Sequence, residues 1–373
     1  MSLVTYLDHN ATTPVRPEVA AAVAEALQLG GNPSSVHRRG RAARRSVEAA
    51  RREVAALAGV SEAEIVFVSG GSEANHLALK GTGRRRIIVS AIEHDSVLRA
   101  VPAAEIVPVT TEGIVDRDAL AALLAADATP ALVSVMLANN ETGIIQPIAE
   151  LAALAHDHGA LLHCDAVQAG GKLPIDRASL GADLLSLSAH KFGGPPGVGA
   201  LVVAPHVALE PLQTGGGQER GRRAGTENVP GIVGFGRAAT LAVAELADYA
   251  RLAELRDDAE RRLLALAPEA KVFGGAAERL PNTLCITMPG VPAETQIMAL
   301  DLAGVMVSAG AACSSGKVRP SHVLTSMGAS PEEAGSAIRI SLGRGTTKAD
   351  IDSLVAAWGA LRARTTGLRA SAA

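Results

Sequence analysis

The chain has 373 residues, 48% of them hydrophobic, and a formal net charge of −3, so it can bury a sizeable core, divided most naturally into two domains. This balance excludes a disordered chain and lacks the basic excess of a nucleic-acid binder; the arginines at 38–39, 44–45, 51–52 and 84–86 read as solvated helix faces and loop charge. Residues 1–14 lack a signal peptide's basic start and apolar core, the apolar runs are too short to span a bilayer, and three widely spaced cysteines form no disulfide framework, so the expected setting is the reducing cytoplasm.

In chain order, apolar strand-like runs occur at 64–68, 86–90, 104–109, 131–137, 160–164, 183–188 and 199–203. Alanine-rich helical patterns separate most of them, as at 41–58, 118–126 and 148–158. The alternation predicts an α/β fold with a mostly parallel seven-stranded sheet covered by helices, in which ligands collect beyond the carboxyl ends of the strands. A long helical pattern over 230–266 then leads the chain away. A smaller α+β part follows, with strands near 282–288, 305–308 and 337–341 and helices near 293–302 and 348–362. The boundary falls near residue 250: residues 15–250 are read as a large domain, and residues 1–14 with 251–373 as a small one.

Chemistry-bearing residues cluster after several strands. Residues 69–75 (Ser-Gly-Gly-Ser-Glu-Ala-Asn) lie between a strand and a helix expected to begin near Glu73. Gly71 lets backbone N–H groups approach an anion, Ser72 adds a hydroxyl, and the helix start favours negative charge; an ordinary capped glycine turn reads the same way. Next comes Glu93-His94-Asp95. In a chain with 2% aromatic residues, His94 is a candidate catalytic residue that stacks on a ligand ring and shuttles protons, or else a structural histidine. Residues 163–168 (His-Cys-Asp-Ala-Val-Gln) end another strand. There Asp165 could hold a pyridinium nitrogen protonated and Gln168 could donate to a ring oxygen. His156, His158, His163, Cys164 and Asp165 also suggest a metal, but their spacing matches no standard zinc pattern, and none is expected.

Lys191 follows the 183–188 run and precedes a glycine-rich stretch, and it is one of only six lysines among thirty-five basic residues. A desolvated ammonium loses its proton readily and becomes a nucleophile, which suits a Schiff base to pyridoxal 5'-phosphate (PLP); a surface lysine in a loop is the plainer reading. Far along the chain, Cys313 lies within a run of small residues, Ala309 to Gly316, with glycines on both sides. Such a run lets a thiol be approached from several directions, which fits a nucleophile, whereas Cys285 and Cys164 sit in apolar strands and read as structural.

Together these blocks resemble the cysteine desulfurases of the nitrogen-fixation and iron–sulfur-assembly type, in the class V (fold type I) aminotransferase superfamily. The resemblance runs from residues 6–14 (Tyr-Leu-Asp-His-Asn-Ala-Thr-Thr-Pro) to about Trp358 and includes 31–37 (Gly-Asn-Pro-Ser-Ser-Val-His), 138–143 (Ala-Asn-Asn-Glu-Thr-Gly) and the glycine- and arginine-rich block 215–228. It implies that Lys191 carries PLP. Gly71, Ser72, Ser188 and His190 would hold the phosphate, with Thr226 reaching the PLP of the partner subunit in a homodimer. Asp165 would face the pyridine nitrogen, Gln168 the phenolic oxygen and His94 the ring face. Asn140 and Arg339 would take the carboxylate of L-cysteine, Asn140 being a cofactor neighbour as well. Cys313 would accept the sulfur as a persulfide, leaving L-alanine, and pass it to an acceptor or scaffold protein for iron–sulfur cluster assembly.

Some positions depart from the family pattern: Ser72 stands where threonine is common, Pro196 where lysine is usual, and the segment 81–86 is short. None removes a chemical group from the site. A selenocysteine lyase, another class V aminotransferase, and a PLP-bearing docking scaffold without activity remain open alternatives at this point.

Overall fold

The structure is a computed structural model that describes residues 4–310 and 320–372, with side chains described through residue 365. Its strands are β1 (Thr5–Tyr6), β2 (Ile65–Val68), β3 (Arg86–Ser90), β4 (Glu105–Val107), β5 (Ala131–Met136), β6 (Leu161–Asp165), β7 (Leu184–Ser188), β8 (Gly199–Val203), β9 (Val272–Phe273), β10 (Thr283–Thr287), β11 (Val305–Met306), β12 (Ser308–Ala309) and β13 (Ala337–Ser341). Seven form one sheet in the order β2-β8-β7-β6-β5-β3-β4. All neighbours in it are parallel except those of β8, which runs antiparallel to both β2 and β7. Each of the seven apolar runs in the sequence supplies one strand.

The sheet is covered on both faces, which is why its strands are continuously apolar rather than alternating. Every residue of β5, β7 and β8 is buried. Successive side chains still divide between the faces. Ile65 and Phe67 pack with Val47 and Val54 of the helix Arg38–Ala58 and with Phe235, while Val66 and Val68 pack with Leu77 and Ala78 on the other side.

A four-stranded antiparallel sheet, β12-β13-β10-β9, supports a second core of Leu284, Ile286, Ile338, Ile340 and the fully buried Trp358. The N-terminal segment belongs to this packing: β1 pairs parallel with β11, Leu7 lies in the core, and Asp8 bridges to Ser341.

Three features differ from the sequence reading. The helical pattern over 230–266 is broken into Val229–Ala244, Leu246–Ala250 and Leu252–Leu266, with a bend of 68° after Ala244. Glu245 leaves helical geometry there, and its carboxylate receives both terminal nitrogens of Arg16 at 2.6 and 2.8 Å. The bend carries the chain from one core to the other. The run at 305–308 is two strands in two sheets, with Val307 between them.

Nor are Arg51 and Arg86 solvated. Arg51 is buried, and its guanidinium grips Glu219 at 2.7 and 2.9 Å and the Ile65 carbonyl at 3.0 Å. Arg86 donates to Glu105 and to the carbonyls of Leu123 and Asp127. A guanidinium has five donors, so burial is tolerable only where a carboxylate and carbonyls take them. Among the described residues no single helix is long and apolar enough to cross a bilayer.

Candidate active site

The turn after β2 and the carboxyl ends of β3, β6 and β7 open onto one cavity of about 740 Å³. The antiparallel β8 sets the spacing on one side, because Gly199 lies opposite both Val68 and Ser188. A Cβ there would stand 2.6 Å from the Leu187 carbonyl oxygen and 2.8 Å from Gly70 Cα, so only glycine allows the approach.

The helix after β2 is Gly71–Gly81, starting two residues earlier than Glu73. Gly70 offers no side-chain cap; instead the Glu73 carboxylate accepts the Ser69 N–H at 2.7 Å and is held by Arg223 Nε at 2.9 Å. Gly71 and Ser72 line the cavity together with Ser188 and His190. A Cβ on Gly71 would come within 2.7 Å of Val167. Helix-start amides, two hydroxyls and an imidazole thus line the same cavity, the donor set an anion needs. His190 Nδ1 lies 3.2 Å from Thr12 Oγ1, and burial, aided by the Lys191 charge, pushes its pKa down to about 4.

At the end of β6, Asp165 is 5% exposed. It accepts from Asn75 Nδ2 at 2.7 Å and from the Val167 N–H at 3.0 Å. Asn75 also donates to Ser96 Oγ at 2.9 Å. Asn75 was not singled out from sequence; the available signal was an amide four residues after Gly71 on a buried helix face. Behind Asp165 lies Glu93, fully buried, with Oε1 accepting from Ser90 Oγ at 2.5 Å and the Met136 N–H at 2.8 Å and Oε2 unpartnered. Burial above all, with the Asp165 charge adding, raises its pKa to about 8, so it is protonated at neutral pH.

His94 caps the short helix Asp95–Leu98, its Nδ1 accepting the Ser96 N–H at 3.1 Å. That contact assigns the ring proton to Nε2 and fixes the imidazole in the cavity wall.

Lys191 ends a 3₁₀ turn, Ala189–Lys191, directly after β7. Its Nζ donates to the carbonyls of Asn10 and Ala11 at 2.7 and 2.9 Å. Burial first, then the Arg339 charge, lower its pKa to about 8. Gln168 Nε2 donates to the same Asn10 carbonyl at 2.9 Å, and its Oε1 accepts from the buried Lys172 at 2.8 Å. Arg339 donates to Asp8 Oδ1 at 2.7 Å and to the Asn140 carbonyl at 3.1 Å, while its Nε is buried without a partner. Asn10, Lys172 and Asp8 had no place in the site read from sequence.

Ten of the twelve residues named from sequence line this one cavity: Gly71, Ser72, His94, Asn140, Asp165, Gln168, Ser188, His190, Lys191 and Arg339. Thr226 is exposed and is not part of its lining. Cys313 lies outside the described residues; Gly310 and Pro320, the described residues on either side of that segment, both line the cavity. The other two cysteines, Cys164 and Cys285, are buried, and burial raises both thiol pKa values.

The metal alternative finds no support in the geometry. His156 pairs with Asp183, His158 with its own helix at the Leu154 carbonyl, and His163 with Ser134 and Ser186. Among the described residues no three His, Cys, Asp or Glu side chains are grouped as a metal site.

An amine of lowered pKa, a buried carboxylate, an imidazole wall, a glycine-lined anion cradle and a guanidinium with an unused buried N–H match the groups of a phosphorylated pyridine aldehyde and an amino acid. Comparison with known proteins agrees. Residues 5–354 match the family model described as aminotransferase class-V. The chain is 47% identical over 365 residues to a cysteine desulfurase of Cereibacter sphaeroides, covering 94% of this chain and 93% of that protein. It is 43% identical to the cysteine desulfurase IscS of Dictyoglomus turgidum, covering 94% and 93%. Among solved structures, the NifS-like protein from Rickettsia africae superposes with a TM-score of 0.90 at 37% identity, covering 95% of this chain and 98% of that one.

Proposed function

The chain belongs to the class V aminotransferase family and, within it, to the PLP-dependent cysteine desulfurases, and from that membership we propose that it converts L-cysteine to L-alanine and leaves the sulfur as a persulfide on Cys313 for transfer to an acceptor protein in iron–sulfur cluster assembly. When bound, the cofactor supplies an electron sink for the pair left at the substrate Cα.

The chain's own residues do the rest. Gly71, Ser72, Ser188 and His190 take the phosphate at the helix start. Asp165, held by Asn75, faces the ring nitrogen, and the neutral Glu93 behind it adds no competing charge. Gln168 donates to the phenolic oxygen and His94 covers the ring face. Lys191 would carry the cofactor and, when its amine is free, move the Cα proton, a task suited to a buried amine whose pKa is lowered to about 8.

Arg339 and Asn140 hold the substrate carboxylate, with Arg339 Nε the unused donor. The Cys313 thiolate attacks the substrate sulfur. The carbon–sulfur bond breaks with its electron pair passing to carbon, which takes up a proton. L-Cysteine and a thiol thus become L-alanine and a persulfide, and no outside oxidant is required.

The observation that carries this reading is the meeting of Lys191, Asp165 and Arg339 in a cavity rimmed by Gly310 and Pro320, the described residues flanking the Cys313 segment. Thr226, exposed and away from its own chain's cavity, is read as serving the partner's site in a homodimer. Leu7 in the second core supports grouping residues 1–14 with 251–373 as the small domain beside a PLP-binding domain of residues 15–250. Two buried free thiols suit a reducing, cytoplasmic setting.

The test is turnover of L-cysteine in the presence of excess thiol. Alanine and sulfide should appear in equal amounts, and Cys313→Ala should keep the bound cofactor's absorbance but lose about a hundredfold or more in sulfide release. Sulfide release at the parent rate in that variant overturns the assignment, and pyruvate in place of alanine overturns the reaction.

A further inference from the structure

Lys172 is 2% exposed, yet no carboxylate among the described residues pairs with it. Its Nζ donates to two amide oxygens, Asn10 Oδ1 at 2.7 Å and Gln168 Oε1 at 2.8 Å. It does not line the cavity. We propose that Lys172 is a positioning residue of the cofactor site, whose amine fixes which end of the Gln168 amide is turned to the ligand and where Asn10 holds Lys191.

A carboxamide has a donor end and an acceptor end of nearly equal shape, so only its partners choose its orientation. A lysine amine offers N–H donors to both oxygens here, which commits Gln168 Oε1 to Lys172. The Nε2 end is therefore the one that meets the Asn10 carbonyl, at 2.9 Å, beside the cavity. Without Lys172 only the Asn10 carbonyl is left to choose between the two ends of the amide, and a flipped amide would offer a ligand oxygen an acceptor instead of a donor.

The Asn10 side chain is fixed in the same way. Its Oδ1 also receives Asn282 Nδ2 at 3.1 Å, and its Nδ2 donates to the Asn140 carbonyl at 3.2 Å and to Thr283 Oγ1 at 2.9 Å. So oriented, its backbone carbonyl receives both Gln168 Nε2 and Lys191 Nζ. Burial first, then the neighbouring Lys191 charge, hold the pKa of this lysine well below the ordinary range, while its two amide oxygens keep the amine in place.

The proposal rests on the PLP reading, so the experiment begins with PLP uptake by the parent apoprotein; if the parent takes up none, that reading falls and this proposal with it. With uptake established, the parent, Lys172→Met, Gln168→Ala and the double variant are compared for PLP affinity by absorbance titration and for the pH midpoint of the bound cofactor's absorbance. Lys172→Met is expected to weaken PLP by about tenfold and to move the midpoint, and to add little in the Gln168→Ala background. Parent-like affinity and midpoint in a folded Lys172→Met, or full additivity in the double variant, overturns the proposal. Should Lys172→Met fail to fold, Gln168→Glu decides: it still offers Lys172 an acceptor but turns no donor to the ligand. Loss of affinity and a moved midpoint support the proposal, and parent-like values overturn it.

Discussion

Lys191 owes its chemistry to where its amine is held. An ordinary lysine at pH 7 is neutral in fewer than about one molecule in a thousand, whereas a pKa of about 8 leaves roughly a tenth of the amine free. The shift is downward and comes from burial, so the neutral fraction rises as pH increases through about 8 and then saturates. The rate of PLP uptake by the apoprotein should therefore climb with pH and level off above about 8.5, as followed by absorbance. A rate still rising in proportion to hydroxide beyond about pH 10 would contradict a lowered pKa. Lys191, Asp165 and His94 were legible in the sequence because each sits at a strand end beside residues that announce a turn. Asn10, Asn75 and Lys172 were not, because their meaning lies in partners far along the chain. Lys172 meets Asn10 across 162 residues, and Asn75 meets Asp165 across 90. No local pattern encodes such a contact.

Elements were legible where burial imposes a continuous apolar run, and less so where a single polar contact decides. Six of the seven strands of the main sheet are buried at all or all but one of their residues and so read as apolar runs, while the edge strand β4 leaves Ile106 exposed. The break at Glu245 could not be read, since the alanine-rich periodicity continues through it and only the contacts of its carboxylate with the distant Arg16 and Arg344 mark the turn. Arg51 is such a case. Its helix is rich in arginine, which reads as a solvated face, yet this one reaches the buried Glu219 and lies 4.7 Å from the Phe67 ring centroid. Glu219 in turn accepts the Phe67 N–H at 2.9 Å and adopts φ 46°, left-handed for a residue with a side chain. Glu219→Ala leaves the buried guanidinium of Arg51 with only the Ile65 carbonyl at 3.0 Å and the Glu48 carboxylate at 3.4 Å, and should cost about 3–5 kcal/mol in denaturant unfolding. Replacing Arg51 by Met in the same chain should return part of that loss. A change under about 1 kcal/mol in the single variant would show that the pair is not what holds the 218–221 turn against β2.

At the scale of the molecule, the site is assembled from parts that pack in different cores. Lys191, Asp165 and the Gly71 helix start come from the main sheet. Arg339 comes from β13 of the small sheet, and Asn10 and Asp8 from the N-terminal segment that packs beside it. Through Asn10 these parts are tied by hydrogen bonds to Ser341, Thr283, Asn282, Gln168, Lys172 and Lys191. Gly310 and Pro320, the described residues on either side of the segment holding Cys313, line the same cavity. Capture of the sulfur on that cysteine is the most direct test of the proposed reaction. The PLP-loaded protein is incubated without oxygen and with L-cysteine, its intact mass is recorded, and the modified peptide is mapped. One added sulfur atom, located on Cys313 and removed by a thiol reductant, is the predicted result. Turnover of L-cysteine to alanine with no added sulfur on Cys313, or with it on Cys164 or Cys285, would contradict the proposed reaction.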